Sequence, residues 1–167
     1  MRAWTQSALL AACLGVAASN AFAGTFLAVG TNWGNRKDDN TYESRAVALR
    51  FDGQSWRESR LPATATGYLH GVTYSAPQTA WAIGILEDES ATLLKSLDDG
   101  VSWNDVSTSL PKSVGDIVRP LALAFANEST GWILGIARPN VGPFLSQTLD
   151  GGKTWSNYKG HDVALSG

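Results

Sequence analysis

The sequence is poor in cysteine, and Cys13 is the only one among its 167 residues. A single thiol excludes an intrachain disulfide framework and a zinc site built from several cysteines. An excess of one charge is also lacking, because 13 Lys and Arg stand against 15 Asp and Glu, for a formal net charge of -2. A chain that neutralises phosphates would show a basic excess, so we predict no nucleic-acid partner.

A long hydrophobic run is missing as well. The N-terminal apolar stretch Ala8–Ala18 falls short of the roughly 20 residues that a membrane-spanning helix needs. It follows the positive charge of Arg2 and precedes Ala21-Phe22-Ala23, an A-x-A cleavage site. Residues 1–23 are therefore predicted to be a secretory signal peptide, and the chain is expected to be periplasmic or secreted. Leu10-Ala11-Ala12-Cys13 resembles a bacterial lipobox, so a lipid anchor on Cys13 is the alternative.

The remaining composition is that of a folded domain rich in turns. Hydrophobic residues make up 44% and charged residues only 17% of the chain, the opposite of the balance in disordered chains. Seventeen Gly and seven Trp are the unusual counts. Together they indicate many tight turns with aromatic residues at intervals.

An internal repeat explains both counts. The segment Ser96–Trp103 (SLDDGVSW) recurs 52 residues later as Thr148–Trp155 (TLDGGKTW). Upstream, His70–Gly84 aligns without a gap on Leu121–Gly135. This alignment places Trp81 on Trp132, Gly84 on Gly135 and Tyr74 on Phe125.

A third, degraded copy of the repeat stands at the start. Phe26–Gly30 matches the segment around Trp81, and Asp52-Gly53-Gln54-Ser55-Trp56 matches the turn before Trp103 with one residue missing. The copy begins at what corresponds to a second strand, so its own first strand is absent. A short stretch near the end, Asp162–Leu165, resembles an extra first strand.

Each unit reads as four short strands separated by turn residues, and no segment has a convincing helical period. Four-stranded units repeating about every 50 residues are typical of β-propeller blades. We therefore predict an all-β fold of about three four-stranded antiparallel blades, over residues 24–60, 61–110 and 111–160, with a terminal strand at 161–167. Because propellers have four to eight blades, the chain is either a partial propeller or part of a ring shared between copies of a homo-oligomer.

The repeated turn resembles the Asp-box, or BNR repeat, of sialidases, xyloglucanase-type glycosidases and sortilin-like receptors. With the G-W-x-x-G strand at Gly131–Gly135, the chain is most similar to the photosystem II assembly and stability factor-like propellers. In these families the box lies at blade edges, away from the ligand, so the resemblance implies a structural role. The residues to which this applies are Asp52, Gly53, Trp56, Ser96, Asp98, Gly100, Ser102, Trp103, Thr148, Asp150, Gly152, Thr154 and Trp155.

The chemistry of the box supports the same role. Gly100 and Gly152 can supply the positive φ that a tight hairpin needs. An aspartate at the head of the turn accepts hydrogen bonds from the backbone N–H groups that follow it. The tryptophan is expected to lie over the turn or between sheets, with its N–H hydrogen-bonded.

The most distinctive segment for binding is residues 31–45, expected to be a long loop. It contains Trp33, Arg36, Tyr42 and Arg45, and aromatic and arginine side chains together suit recognition of a protein or a glycan. A surface loop without a binding role is the other interpretation. We predict a protein partner, with a glycan as the alternative.

No catalytic residue, metal site or cofactor is predicted. His70 and His161 lack the spacing of metal ligands, and the acidic runs Asp38-Asp39 and Glu87-Asp88-Glu89 lack the pattern of a calcium loop. A sialidase would need an arginine cluster gathered from several blades, and no pair of opposed glycosidase carboxylates can be named. The function we predict is an exported, non-catalytic scaffold that binds a protein and is assembly-factor-like, with a glycan-binding or sialidase-type module as the alternative.

Overall fold

The computed structural model describes residues 25–36, 42–110, 117–138 and 142–157. Over these ranges the fold is all-β, and the strands form three antiparallel sheets. The signal peptide and the terminal strand expected at 161–167 lie outside the described residues.

Chain order and sheet order coincide. The first sheet contains β1 (Phe26–Arg36), β2 (Tyr42–Phe51) and β3 (Trp56–Glu58). The second sheet contains β4 (Tyr68–Ala76), β5 (Thr79–Ile85), β6 (Ala91–Ser96) and β7 (Asn104–Asp105). The third sheet contains β8 (Ile117–Phe125), β9 (Gly131–Arg138), β10 (Gly142–Thr148) and β11 (Ser156–Asn157). A single 3₁₀ turn, Ser107–Ser109, lies in the described part of the chain.

The first sheet has three described strands because β1 corresponds to the second strand of the other two sheets. Leu27 lies opposite Arg50 in the β1–β2 pair, and Trp81 lies opposite Lys95 in the β5–β6 pair. The repeat therefore places Leu27 on Trp81, in agreement with the sequence alignment of the two segments.

The second sheet is covered on both faces, which explains why β5 is almost entirely buried. Its even-numbered residues Ala80 and Ala82 pack with Leu27 in one hydrophobic cluster. Its odd-numbered residues Trp81 and Ile83 pack with residues of the third sheet in another. Successive side chains on a strand point to opposite faces, so one continuous apolar strand contributes to two cores.

The expectation of a long loop over residues 31–45 is wrong. β1 continues to Arg36 and β2 begins at Tyr42. The two strands pair along this length, with Asn32 opposite Arg45 and Trp33 opposite Ser44, and an irregularity follows Trp33. The polar residues of this segment are compatible with strand pairing because they extend an antiparallel arm whose register is already set by the apolar residues of β1 and β2.

Candidate functional site

The box turn of the second sheet is closed by one serine hydroxyl and one carboxylate. The Gly100 amide donates to Ser96 Oγ over 2.8 Å, and Ser96 Oγ–H donates to Asp98 Oδ1 over 2.8 Å. Ser102 donates twice to Asp98, from its amide to Oδ1 and from its hydroxyl to Oδ2. Partial burial raises the pKa of Asp98, but the hydrogen bonds from Ser102 and Ser96 outweigh it and leave that pKa below its ordinary value.

The turn of the third sheet repeats these contacts atom for atom. The Gly152 amide donates to Thr148 Oγ1, and Thr148 donates to Asp150 Oδ1, both over 2.9 Å. Thr154 donates from its amide to Asp150 Oδ1 and from its hydroxyl to Oδ2. The hydrogen bonds from Thr154 lower the pKa of Asp150 to about 2. Both carboxylates are thus engaged in holding their own turns.

The degraded turn of the first sheet keeps only part of this network. Asp52 Oδ1 accepts from the amides of Gln54 and Ser55, and Asp52 Oδ2 accepts from Arg57 over 2.9 Å. These hydrogen bonds, with that of Ser55 the largest contributor, hold the pKa of Asp52 well below its usual range. Gly53 has a φ of 93°.

The three box tryptophans have different surroundings. Trp103 and Trp155 are buried between sheets, with 4% and 6% of their surface exposed, whereas Trp56 is 51% exposed. The expectation that the buried indoles have bonded N–H groups is wrong for the described part of the chain, where neither Trp103 Nε1 nor Trp155 Nε1 has a hydrogen-bond partner. Apolar side chains surround both rings because each one packs into an inter-sheet core.

Of the predicted binding residues, Arg45 is the one whose side chain the structure describes. It is exposed and forms an ion pair with Glu58 of β3, with 2.6 Å between Arg45 Nη2 and Glu58 Oε1. The backbone of Trp33, Arg36 and Tyr42 belongs to the same β1–β2 arm, and Arg36 lies opposite Tyr42.

Arg45 lines a groove of about 660 Å³ between the first sheet and the chain that leads to the second. The chain after β3 stays paired with β2 as far as Ser59, whose amide donates to Ala48 O. It meets β2 again at a single bridge between Arg45 and Thr66. The groove opens between these two points. It is lined by Ser44, Arg45, Ala46, residues 58–63, Ala65 and Thr66.

Two groove residues were not predicted from the sequence, Ser59 and Arg60. Ser59 is 8% exposed, and its hydroxyl has no hydrogen-bond partner. Arg60 is exposed, while its backbone is fixed by bonds to Val101 and Trp103 of the next box. The only signal in the sequence is the polar run Arg57–Arg60 directly after Trp56, which has no recognisable motif.

His70 has a structural contact. Its Nε2 lies 2.5 Å from the carbonyl oxygen of Pro120 in the first strand of the third sheet. Desolvation lowers the pKa of His70, so the ring is neutral at pH 7 and its Nε2–H donates to that carbonyl. The histidine therefore links β4 to β8.

Two further observations apply to the described residues. Over the ranges given above, no three His, Cys, Asp or Glu side chains come together in a way that could hold a metal ion. In the same part of the chain, no helix is both long and apolar enough to cross a bilayer.

Comparison with known proteins gives a likeness to a solved structure and no family. No family model matches the sequence, and no curated protein matches it. Among solved structures, the chain is similar to one described as YCF48 bound to D1 peptide, with a TM-score of 0.47 and 20% sequence identity. The likeness covers 77% of this chain and 36% of that one, so this chain spans about a third of the length of the protein it matches.

Proposed function

We propose that this chain is a non-catalytic, propeller-type scaffold that binds an acidic segment of a protein partner in the groove beside β2. The observation that carries the proposal is the lining of the groove, where Arg45 and Arg60 are both exposed and Glu58 is the one carboxylate among the described lining residues. Two guanidinium groups at one groove favour a ligand with carboxylates.

Arg45 is available to a ligand because its present partner holds it weakly. The side chains of Arg45 and Glu58 are 62% and 51% exposed, and an ion pair in such a position contributes about 0–1 kcal/mol. A carboxylate of a partner can accept two parallel hydrogen bonds from a guanidinium, a stronger arrangement than the single contact to Glu58. A ligand carboxylate can therefore replace Glu58 as the partner of Arg45, with better hydrogen-bond geometry and little loss of free energy.

Ser59 lines the groove at the point where β3 ends, but its hydroxyl oxygen is enclosed and has no hydrogen-bond partner among the described residues. A buried hydroxyl in this state costs about 1–3 kcal/mol. Because the oxygen is enclosed, a peptide carbonyl could bond to it only after the chain at Ser59 moves. The groove therefore offers charge recognition at its two arginines as its direct contact with a ligand.

The alternative of a glycan ligand is less well supported by the same groove. Among the described residues, its lining contains no aromatic side chain on which a sugar ring could stack. The solved structure named above is described as having a bound peptide, but the likeness is too slight to carry that property to this chain. The groove is the argument for a protein ligand.

Export is part of the proposal and rests on the sequence of residues 1–23. The mass of the purified chain tests it directly. Cleavage after Ala23 leaves a mature chain that begins at Gly24. Lipidation would instead give a longer chain that begins at Cys13 and has the added mass of the lipid. An assembly-factor-like role follows if the partner is itself a subunit of a larger complex.

Binding of matched peptides tests the proposed ligand. Extended peptides rich in Asp and Glu, and the same peptides with Asn and Gln, are titrated into the labelled chain and followed by fluorescence anisotropy. Because a hydrogen bond to a charged group contributes about 1.5–3 kcal/mol, Arg45→Ala or Arg60→Ala should weaken binding of the acidic peptide about 10- to 100-fold.

Arg57→Ala is the matched control. Arg57 is exposed, neighbours Glu58 in β3 and pairs with Asp52, but it does not line the groove. Equal binding of acidic and amide peptides, or equal losses in all three arginine variants, would contradict the proposal. A sialidase assay and a glycan array on the same sample test the alternative, and sugar-specific binding or turnover would replace the protein ligand.

A further inference from the structure

The two interfaces between sheets are built in the same way. Leu27 of β1 lies against Gly100 of the second sheet, where a Cβ would come within 2.3 Å of the leucine side chain. Trp81, which corresponds to Leu27 in the repeat, lies against Gly152 of the third sheet, where a Cβ would come within 2.2 Å of the indole. The first and second sheets therefore each place a bulky side chain, from β1 and β5, beneath the turn glycine of the next sheet.

A basic side chain beside each of these residues makes a second repeated contact. Arg50, opposite Leu27, donates from Nε to the carbonyl oxygen of Asp99 over 2.8 Å. Lys95, opposite Trp81, donates from Nζ to the carbonyl oxygen of Gly151 over 3.3 Å. The acceptor in each case is the residue that precedes the turn glycine of the next sheet.

The outward face of the third sheet has a bulky side chain and a polar side chain at the same two positions, but no sheet lies against it in the described part of the chain. Trp132 stands at the position of Trp81, and Gln147, opposite it, stands at the position of Lys95. Leu134, at the position of Ile83, is 44% exposed, whereas Ile83 is 0% exposed. We call Trp132, Leu134, Leu145 and Gln147, which share one side of β9 and β10, the Trp132 face.

The outward face of the first sheet presents the opposite half of such an interface. Its turn glycine, Gly53, has open space on this side, because a Cβ added there would meet no atom within 4 Å. Its box tryptophan, Trp56, is 51% exposed and contacts Phe51, with ring centroids 5.4 Å apart, and Phe51 contacts Phe26. We call Phe26, Phe51, Gly53 and Trp56 the Trp56 face.

We propose that the Trp132 face of one copy of this chain docks on the Trp56 face of a second copy, with the geometry of the two interfaces within the chain. Trp132 then lies beneath Gly53 of the second copy, and the Gln147 amide donates to a carbonyl oxygen of that short turn. In this complex Trp56 becomes buried between the two copies, in the way that Trp103 and Trp155 are buried between sheets of one chain. The inference does not depend on the groove at Arg45.

The count of sheets favours two copies. A contact between two different faces forms a closed ring or an open filament. Two copies with the three described sheets each give six blades, within the range of four to eight that propellers have, and three copies would give nine. A two-copy ring contains the Trp132–Trp56 contact twice and leaves neither face exposed.

Light scattering and sedimentation velocity test the proposal on the full chain. The native chain should have twice the monomer mass found by mass spectrometry, and Trp132→Asp or Trp56→Asp should reduce it to the monomer mass. Leu149→Asp is the control, because Leu149 is 68% exposed but belongs to neither face. Leu134→Lys serves as a second disruption of the Trp132 face, and near-ultraviolet circular dichroism confirms that each variant is folded.

A mixture of the two tryptophan variants identifies which faces meet. The Trp132→Asp chain retains an intact Trp56 face, and the Trp56→Asp chain retains an intact Trp132 face. Mixed in equal amounts they should form a heterodimer through one native contact, at concentrations where each alone is a monomer. A monomeric native chain, a polymer of indefinite length, or a mixture that stays monomeric would overturn the proposal.

Discussion

Gly152→Ala is predicted to destabilise the fold much more than Gly53→Ala. Both glycines have positive φ, 79° and 93°, so an alanine is strained in both turns. At Gly152 the new Cβ would also lie 2.2 Å from Trp81 Cη2, while at Gly53 it would meet nothing within 4 Å. The two substitutions share their backbone cost and differ in the contact with the preceding sheet.

The size of the difference follows from how firmly Trp81 is held. Its ring stacks on Phe125 with centroids 4.9 Å apart, Lys95 Nζ lies 4.4 Å from the ring centroid, and its Nε1–H donates to Ser75 Oγ over 3.0 Å. The indole therefore has no free space into which it can move. An alanine at positive φ costs about 1 kcal/mol in both variants, and forced overpacking adds about 1–3 kcal/mol at Gly152 alone.

Urea denaturation followed by tryptophan fluorescence measures both free energies of unfolding. The measurement is made in the Trp132→Asp background, so that contacts between copies do not contribute at Gly53. We expect Gly152→Ala to lose about 1–3 kcal/mol more than Gly53→Ala. Equal losses in the two variants would refute the packing of the third sheet on Trp81.

The remaining predictions concern single side chains. Trp155→Ala should cost about 3–5 kcal/mol of unfolding free energy, because Trp155 is buried in the hydrophobic cluster between the second and third sheets. Trp56→Ala should cost less than about 1 kcal/mol in a monomeric background. Thermal melts of both variants show whether the two losses differ. Because the folded pKa of Asp150 is about 2 against an ordinary 3.8, the stability from its turn is fully present above the ordinary value and is lost as the pH falls through that window. Asp150→Asn should therefore flatten the acid limb of a stability–pH curve, and an unchanged acid limb would contradict the role of this carboxylate.

The sheets were predictable because the repeated box, which is the strongest pattern in the sequence, also forms the turn that packs on the preceding sheet. The box from Ser96 to Trp103 recurs intact, and its hydrogen bonds are local, within four residues of Asp98. Local contacts of this kind leave a fixed spacing of residue types in the sequence. Ala80–Ile83 is apolar at every position, the composition typical of a strand covered on both faces.

The groove was not predictable for the opposite reason. The groove lies between Ser59, the last residue bonded to β2 after β3, and Thr66, which pairs with β2 again. Neither residue belongs to the part of the sequence that recurs in the repeat. Arg60 lines it because its backbone pairs with Val101 and Trp103 of the following unit. A site that depends on the relative placement of two units leaves no spacing pattern in either one.

The arm formed by β1 and β2 was predicted to be a loop because the polar composition of residues 31–45 was given more weight than the pairing of the strands that precede and follow it. Residues 31–45 contain many charged and amide side chains, which are typical of loops. The apolar pairs nearer the sheet centre, such as Val29 opposite Ala48, set the register, and the polar residues continue the ladder outward. Arg45 reaches the groove because of this continuation, so the same error concealed the neighbourhood of the site.

The second and third sheets each pack through their turn glycine on a strand of the sheet before them, Gly100 on β1 and Gly152 on β5. Nuclear Overhauser contacts test this most directly, between the α-protons of Gly152 and the Trp81 ring, and between those of Gly100 and the Leu27 methyl groups. The structure predicts strong contacts in both pairs, with the Gly152 α-protons shifted by the indole ring current. Contacts confined to residues of the same sheet would contradict it.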